Sequence, residues 1–174
     1  MRKRFALVGL ACMLAAGIGG RAQAEVKHRF GAGARYWMAV SKVKPDNVDQ
    51  EGVSWLLTYQ LQPVSMLRIE ADVEMMPESF GAFAAPGQDV YAPQVYLLVG
   101  MGLYAGVGAG TYYVDGEFWD KPFYGLRAGL DLMIVPHLYL DINGNYRFEK
   151  WNELNGQDIS EDTVFLGAAL RIEI

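Results

Sequence analysis

Eight segments of this chain alternate apolar and polar residues with a period of two, and charged residues fill many of the polar positions. In range 67–75 the odd positions are all apolar, and the even positions carry Arg68, Glu70, Asp72 and Glu74. Range 138–148 shows the same alternation, with the charges Asp141 and Arg147. Because successive side chains of a β-strand point to opposite faces, each segment has one apolar and one polar face. The pattern therefore predicts a sheet of amphipathic strands.

The predicted strands are separated by connections that alternate between long and short. Long connections fall at 42–51, 77–89, 115–122 and 151–160, and short ones at 62–64, 100–102 and 135–137. Long extracellular loops and short periplasmic turns are typical of transmembrane β-barrels, whose strands are apolar outside and polar inside. We therefore predict an all-β fold, an eight-stranded antiparallel up-and-down transmembrane β-barrel. Its strands are expected at 28–41, 52–62, 65–76, 90–100, 103–114, 123–134, 138–150 and 162–174.

The first 24 residues have the composition of a secretory signal peptide. A basic start at 2–4 precedes an apolar segment at 5–18, and Ala22-Gln23-Ala24 supplies the small residues of a cleavage site. The apolar segment is shorter than the roughly 20 residues of a membrane span. A lipoprotein signal at Cys12 is the alternative, although Gly9 stands where such signals usually have Leu. We predict a cleaved signal peptide at 1–24 and an outer-membrane barrel domain at 25–174.

Charge and cysteine content exclude several kinds of function. The predicted signal peptide holds four basic residues and no acidic one, so its removal takes the formal net charge from −5 to −9. Nucleic-acid binding needs basic patches and is not expected. Cys12 is the only cysteine, so the mature chain is expected to have no disulfide, no thiolate chemistry and no metal site. No cofactor is expected either.

The polar faces of the predicted strands place many charges inside the barrel. An eight-stranded interior is just wide enough for side chains to fill, and a charge buried there without a partner costs several kcal/mol. We therefore predict a salt-bridged plug, and an ion path or gate is the alternative. The candidate charge network comprises Arg35, Arg68, Glu70, Asp72, Glu74, Arg127, Asp131, Asp141, Arg147 and Arg171, and the inward face also holds Arg29, Glu149 and Glu173.

Range 90–114 contains no charged residue and permits a second interpretation. It is long enough for a membrane helix, and Gly102, Gly106 and Gly110 have the small-residue spacing of packed membrane helices. We favour two strands, because Pro93 and Gln94 interrupt the run and the glycines all fall on even positions. Glycines on one face of a strand would make room for long side chains opposite them.

In these features the chain resembles the small eight-stranded outer-membrane proteins, such as the transmembrane domain of outer-membrane protein A and OmpX-like proteins. The resemblance implies a porin-like or OmpA-like barrel in the outer membrane of a Gram-negative cell envelope. It also implies contact with outer-membrane lipid and lipopolysaccharide, and recognition of the C-terminal strand by the barrel assembly machinery. Aromatic residues at 36, 55, 59, 124, 146 and 148 are expected at the membrane interfaces, and Trp37 and Tyr139 inside.

For function, we interpret the chain as a non-enzymatic outer-membrane barrel with a largely plugged lumen. It would act in envelope structure or in surface interaction and adhesion, with an unknown ligand at its extracellular loops. Alternatives are a small passive channel, a lipid A-modifying barrel enzyme and a soluble periplasmic lipid-binding barrel. Catalysis is not expected, because His28 and His137 both fall at the periplasmic end. The charge-free strands at 90–114 would give a soluble barrel a poor solvent face.

Overall fold

The computed structural model describes residues 26–39, 51–76, 89–148 and 163–174. The predicted signal peptide, Glu149 and most of the predicted connections 42–51, 77–89 and 151–160 lie outside these residues. Ten strands are present in the described part of the chain. They are β1 (Lys27–Ala39), β2 (Glu51–Val64), β3 (Leu67–Met76), β4 (Val90–Met101), β5 (Leu103–Gly110), β6 (Tyr113–Val114), β7 (Glu117–Phe118), β8 (Phe123–Val135), β9 (Leu138–Phe148) and β10 (Thr163–Glu173).

Eight of these strands form a closed antiparallel barrel. The hydrogen-bonded order is β3-β2-β1-β10-β9-β8-β5-β4, and β4 pairs back with β3 to close the sheet. Neighbouring strands in the barrel are also consecutive barrel strands in the sequence, apart from β1 and β10, the first and the last, which pair with each other. This is an up-and-down arrangement. The predicted eight-stranded barrel is therefore confirmed. Closure removes the exposed sheet edges that would otherwise pair with another chain.

Range 90–114 forms strands, so the helical alternative is wrong. Within the described ranges, no helix is long and apolar enough to cross a membrane. The predicted strand 103–114 is nevertheless divided, because β5 ends at Gly110 and β6 resumes at Tyr113. Phe123, the first residue of β8, lies opposite Gly110. Beyond this point β8 offers no partner, so the chain folds back on itself and β7 pairs with β6 instead.

The barrel has two different ends. The turn end holds the tight connections β2–β3, β4–β5 and β8–β9, and His137 in the last of these has a positive φ of 68°. The opposite end, called the loop end, holds the hairpin formed by β6 and β7. His28 and His137 both lie at the turn end, as the sequence predicted. There His28 Nδ1 lies 2.8 Å from the hydroxyl of Tyr59.

Side chains alternate between an apolar outer surface and a polar interior. On β2, Leu57 is 66% exposed, whereas its neighbour Thr58 is buried. On β3 the charged residues are buried, and Ile69 and Val73 face outward. Trp37 is buried inside the barrel, and Tyr139 lies beneath the guanidinium of Arg29 at 3.6 Å. The molecule is thus the inverse of a water-soluble globule, with apolar side chains outside and charges within.

Candidate functional site: the barrel interior

The interior is the candidate site because strand alternation directs the charged side chains of five strands (β1, β3, β8, β9 and β10) into it. The five arginines at 35, 68, 127, 147 and 171 are all among the fully buried side chains. Buried charges need opposite charges or hydrogen-bond partners close by. The contacts inside the barrel show how this need is met at three levels, from the loop end to the turn end.

The middle level is a chain of alternating positive and negative side chains that crosses the lumen. It starts at Arg147, whose Nη2 contacts the Glu74 carboxylate. Arg35 then bridges two acids, with Nη1 2.8 Å from Glu74 Oε2 and Nη2 2.9 Å from Asp72 Oδ2. Ser54 donates a further hydrogen bond to Glu74. The side chains of Arg35, Asp72 and Glu74 are completely buried.

This series of ion pairs continues from Asp72 toward the turn end. Arg127 places Nη2 2.8 Å from Asp72 Oδ2 and contacts Glu70 through Nη1. Arg171 then lies 2.9 Å from Glu70 through Nη2 and 2.9 Å from Asp141 through Nη1. The middle level thus holds four arginines and four carboxylates, so its formal charges cancel. Such balance is what makes so much buried charge compatible with a folded protein.

Two tyrosines of the barrel wall support this ionic chain. The ring of Tyr96 lies 3.6 Å from the guanidinium carbon of Arg127, a cation–π contact. The hydroxyl of Tyr104 donates a 2.6 Å hydrogen bond to Asp141. Tyr96 fits because glycines face it, since a Cβ at Gly108 would lie 2.4 Å from its ring and one at Gly125 2.5 Å from its hydroxyl. The glycine positions of β5 therefore make room for long side chains, as the sequence indicated.

An apolar cluster fills the interior at the loop end. Its buried members are Trp37, Met76, Val90, Ala92, Tyr112, Phe123 and Phe165. Arg147 links the cluster to the ionic chain, because its guanidinium carbon lies 3.9 Å from the ring centre of Phe165 and 4.7 Å from that of Phe123. From the loop end inward, the interior thus holds an apolar cluster and then the ionic chain.

At the turn end the interior opens into a cavity of about 500 Å³, whose lining includes Arg29, Arg68 and Asp131. Arg29 and Arg68 both bind Asp131 Oδ2, at 2.6 Å and 2.8 Å. Glu173 bridges Arg29 at 2.8 Å and Lys27 at 2.7 Å. The side chain of Lys27 is 40% exposed, so the outer part of this group meets solvent, whereas Arg68 and the middle level are buried.

The structure divides the ten predicted network residues into two groups. Eight form the middle chain, whereas Arg68 and Asp131 belong to the turn end. Arg68 lies two residues from Glu70 on the same strand but forms its ion pair across the lumen with Asp131. Sequence reasoning missed Lys27, because the first strand begins one residue earlier than predicted. It also missed the neutral partners Ser54, Gln60, Gln94, Tyr104 and Asn143, which strand alternation alone places on the inward face.

Fold and interior together define the class of this protein: it has the fold of the small eight-stranded outer-membrane β-barrels. Neisserial surface protein A has a similar structure, with a TM-score of 0.53, 13% sequence identity, and coverage of 86% of this chain and 97% of that one. The N-terminal β-barrel domain of Pseudomonas aeruginosa OprF has a TM-score of 0.48 and 10% sequence identity, and the match covers 84% of this chain and 97% of that one. OprG from Pseudomonas aeruginosa has a TM-score of 0.46 and 12% sequence identity, and the match covers 86% of this chain and 97% of that one. No family model matches the sequence, and no curated protein matches it by sequence.

Proposed function

We propose that this chain is a non-enzymatic integral protein of the outer membrane, exported by the signal peptide at 1–24. The observation that carries the proposal is the inverted distribution of polarity, with charges inside and an apolar outer surface. Soluble proteins rarely expose apolar patches of more than a few hundred Å². The outer surface here is apolar on every barrel strand, for example at Leu57, Val95 and Leu170. A lipid bilayer is the surrounding that such a surface requires.

Within the membrane, we propose a closed structural barrel that presents its long connections at the cell surface for envelope structure or for surface interaction and adhesion. Closure is supported by the apolar cluster and by the neutral ionic chain beneath it, which together occupy the interior from the loop end to its middle. The strands then serve as a rigid base for the loops, where binding functions usually reside. Partners would be outer-membrane lipid and lipopolysaccharide, the barrel assembly machinery at β10, and a surface ligand at the loops.

The turn-end cavity favours a second candidate, a small passive channel for ions or small solutes. Its volume of about 500 Å³ and its charged lining at Arg29, Arg68 and Asp131 would suit hydrated ions. A path through the barrel would additionally require the middle ion pairs and the apolar cluster to move apart. Charged side chains in a lumen tune ion selectivity in such channels.

Conductance in planar bilayers distinguishes the two candidates. The protein is reconstituted at known orientation and single-channel current is recorded across a range of voltages. A closed structural barrel predicts no steady conductance, and Arg127→Met should not create one unless the apolar cluster is also disrupted. A steady open level in the unmodified protein would establish the channel and contradict the closed barrel. Cell fractionation with a heat-modifiability gel tests the membrane location itself, because folded barrels resist SDS until boiled.

A further inference from the structure

The hairpin formed by β6 and β7 continues the outer surface of the barrel beyond its loop end. Tyr113 lies opposite Tyr91 of β4, and Val114 lies opposite Val90. The hairpin turns at Asp115-Gly116, where both residues have positive φ, 51° and 90°. Asp-Gly is a favoured pair for the tight turns that join two strands. The hairpin is therefore an ordered extension of β4.

The register fixes which side of the hairpin faces outward. Val114 packs against the apolar cluster of the interior, so its side of the hairpin belongs to the lumen. Tyr113, one residue earlier, points the other way, and Phe118 lies directly opposite it. The two rings are in contact, with centroids 5.0 Å apart at an angle of 61°. The outward side of this hairpin is thus aromatic.

This aromatic pair completes a continuous row across the outer surface. Cross-strand pairing runs from Trp55 to Met75, to Tyr91, to Tyr113 and finally to Phe118. Trp55 is 58% exposed, Tyr91 38% and Phe118 63%. In water, Phe118 would leave most of its ring unburied. Aromatic side chains with this arrangement favour the interface between the hydrocarbon layer and the headgroups.

We infer that the outward face of the β6–β7 hairpin binds the membrane surface, with Tyr113 and Phe118 at the hydrocarbon–headgroup boundary of the leaflet on the loop-end side. We take lipid as the binding partner because the row is continuous with the surface that faces the bilayer. No residue of the row, from Trp55 to Phe118, is charged. Glu117 is exposed and lies opposite Val114, so it faces the lumen side of the hairpin. The inference rests on the proposed membrane location and adds to it a loop segment that is held down on the bilayer rather than presented to a partner.

The test compares a fluorescent probe at two neighbouring positions. Phe118→Cys and Glu117→Cys are made in full-length protein carrying Cys12→Ser, labelled with an environment-sensitive maleimide, and folded into phosphatidylcholine vesicles. One quencher is a lipid with a nitroxide just below the headgroup, and the other is iodide on both sides of the membrane. The probe at 118 should be quenched roughly threefold more strongly by the lipid nitroxide than the probe at 117, because the hydrocarbon layer begins at that depth. Iodide should show the reverse order.

Two outcomes would overturn the inference. Equal iodide quenching at 117 and 118 would place the face in water, and protection from both quenchers that disappears at high lipid-to-protein ratio would place it against a second copy of the chain. Tyr113→Cys repeats the measurement on the other strand in case the change at 118 disturbs the hairpin. Each variant is first shown to be folded by its heat-modifiable band. Failure of every variant and of the unmodified protein to insert would instead refute the membrane location.

Discussion

Replacing Arg127 with methionine should destabilise the barrel more than replacing any charge at the turn end. Arg127 is fully buried and binds both Glu70 and Asp72. Methionine leaves an apolar side chain beside Tyr96, but it removes the cation–π contact and one charge from a neutral set of four arginines and four acids. Breaking a buried ion pair on one side typically costs 3–5 kcal/mol because an uncompensated charge remains.

The structure places the expected value near the lower end of that range. Glu70 retains Arg171 at 2.9 Å and a hydrogen bond from Gln60 at 2.8 Å. Asp72 retains Arg35 at 2.9 Å. Neither acid is left alone, so we expect a loss of about 3 kcal/mol for Arg127→Met.

Arg68→Met is the matched control. Its ion pair with Asp131 lies beside the open cavity, and Asp131 keeps Arg29 as a partner at 2.6 Å. Water can reach Asp131 from the adjoining cavity once the Arg68 guanidinium is removed, so we expect about 1–2 kcal/mol. Both values are obtained from urea titrations of the barrel in phospholipid vesicles, followed by the gel shift between folded and unfolded bands.

A double-mutant cycle then identifies the partner. Asp72→Asn combined with Arg127→Met restores the charge balance, and the two changes should couple by at least about 1 kcal/mol. Asp131→Asn combined with Arg127→Met should be additive within about 0.5 kcal/mol, because those residues share no contact. The reasoning is refuted if Arg127→Met costs less than Arg68→Met, or if Arg127 couples with neither Asp72 nor Glu70.

Three other predictions concern the packing, the outer surface and the orientation of the barrel. Gly108→Ala should lower the free energy of unfolding of the barrel by about 1–3 kcal/mol in urea titrations, because the added methyl group would clash with the buried ring of Tyr96. Gly144→Ala, whose Cβ would meet its nearest atom at 3.8 Å, should be neutral or stabilising, and equal effects at both sites would contradict this packing. Leu140→Arg should cost about 2–4 kcal/mol in a bilayer, and a negligible cost there would mean that this face does not meet lipid. In intact cells an impermeant maleimide should label Asp120→Cys and leave Pro136→Cys unlabelled, whereas the reverse result would invert the orientation.

The sequence by itself determined the strands and their two faces. Alternation with a period of two is a local property of extended backbone, so range 67–75 is enough to place Arg68 and Asp72 on one side and Ile69 on the other. The alternating long and short connections made antiparallel neighbours the expected arrangement. The closed barrel, its apolar outer surface and the burial of the charged residues agree with expectations drawn from these local patterns.

Only the tertiary structure decided which charges meet and how the interior is packed. Inward side chains two apart on one strand point in parallel, so a long arginine reaches its partner across the lumen more easily than along its own strand. For this reason Arg68 pairs with Asp131 of β8, and Glu74 with Arg147 of β9. The apolar cluster at the loop end likewise combines residues far apart in sequence, from Trp37 to Phe165. The β6–β7 hairpin also depends on long-range contacts, because it forms where β8 no longer provides a partner.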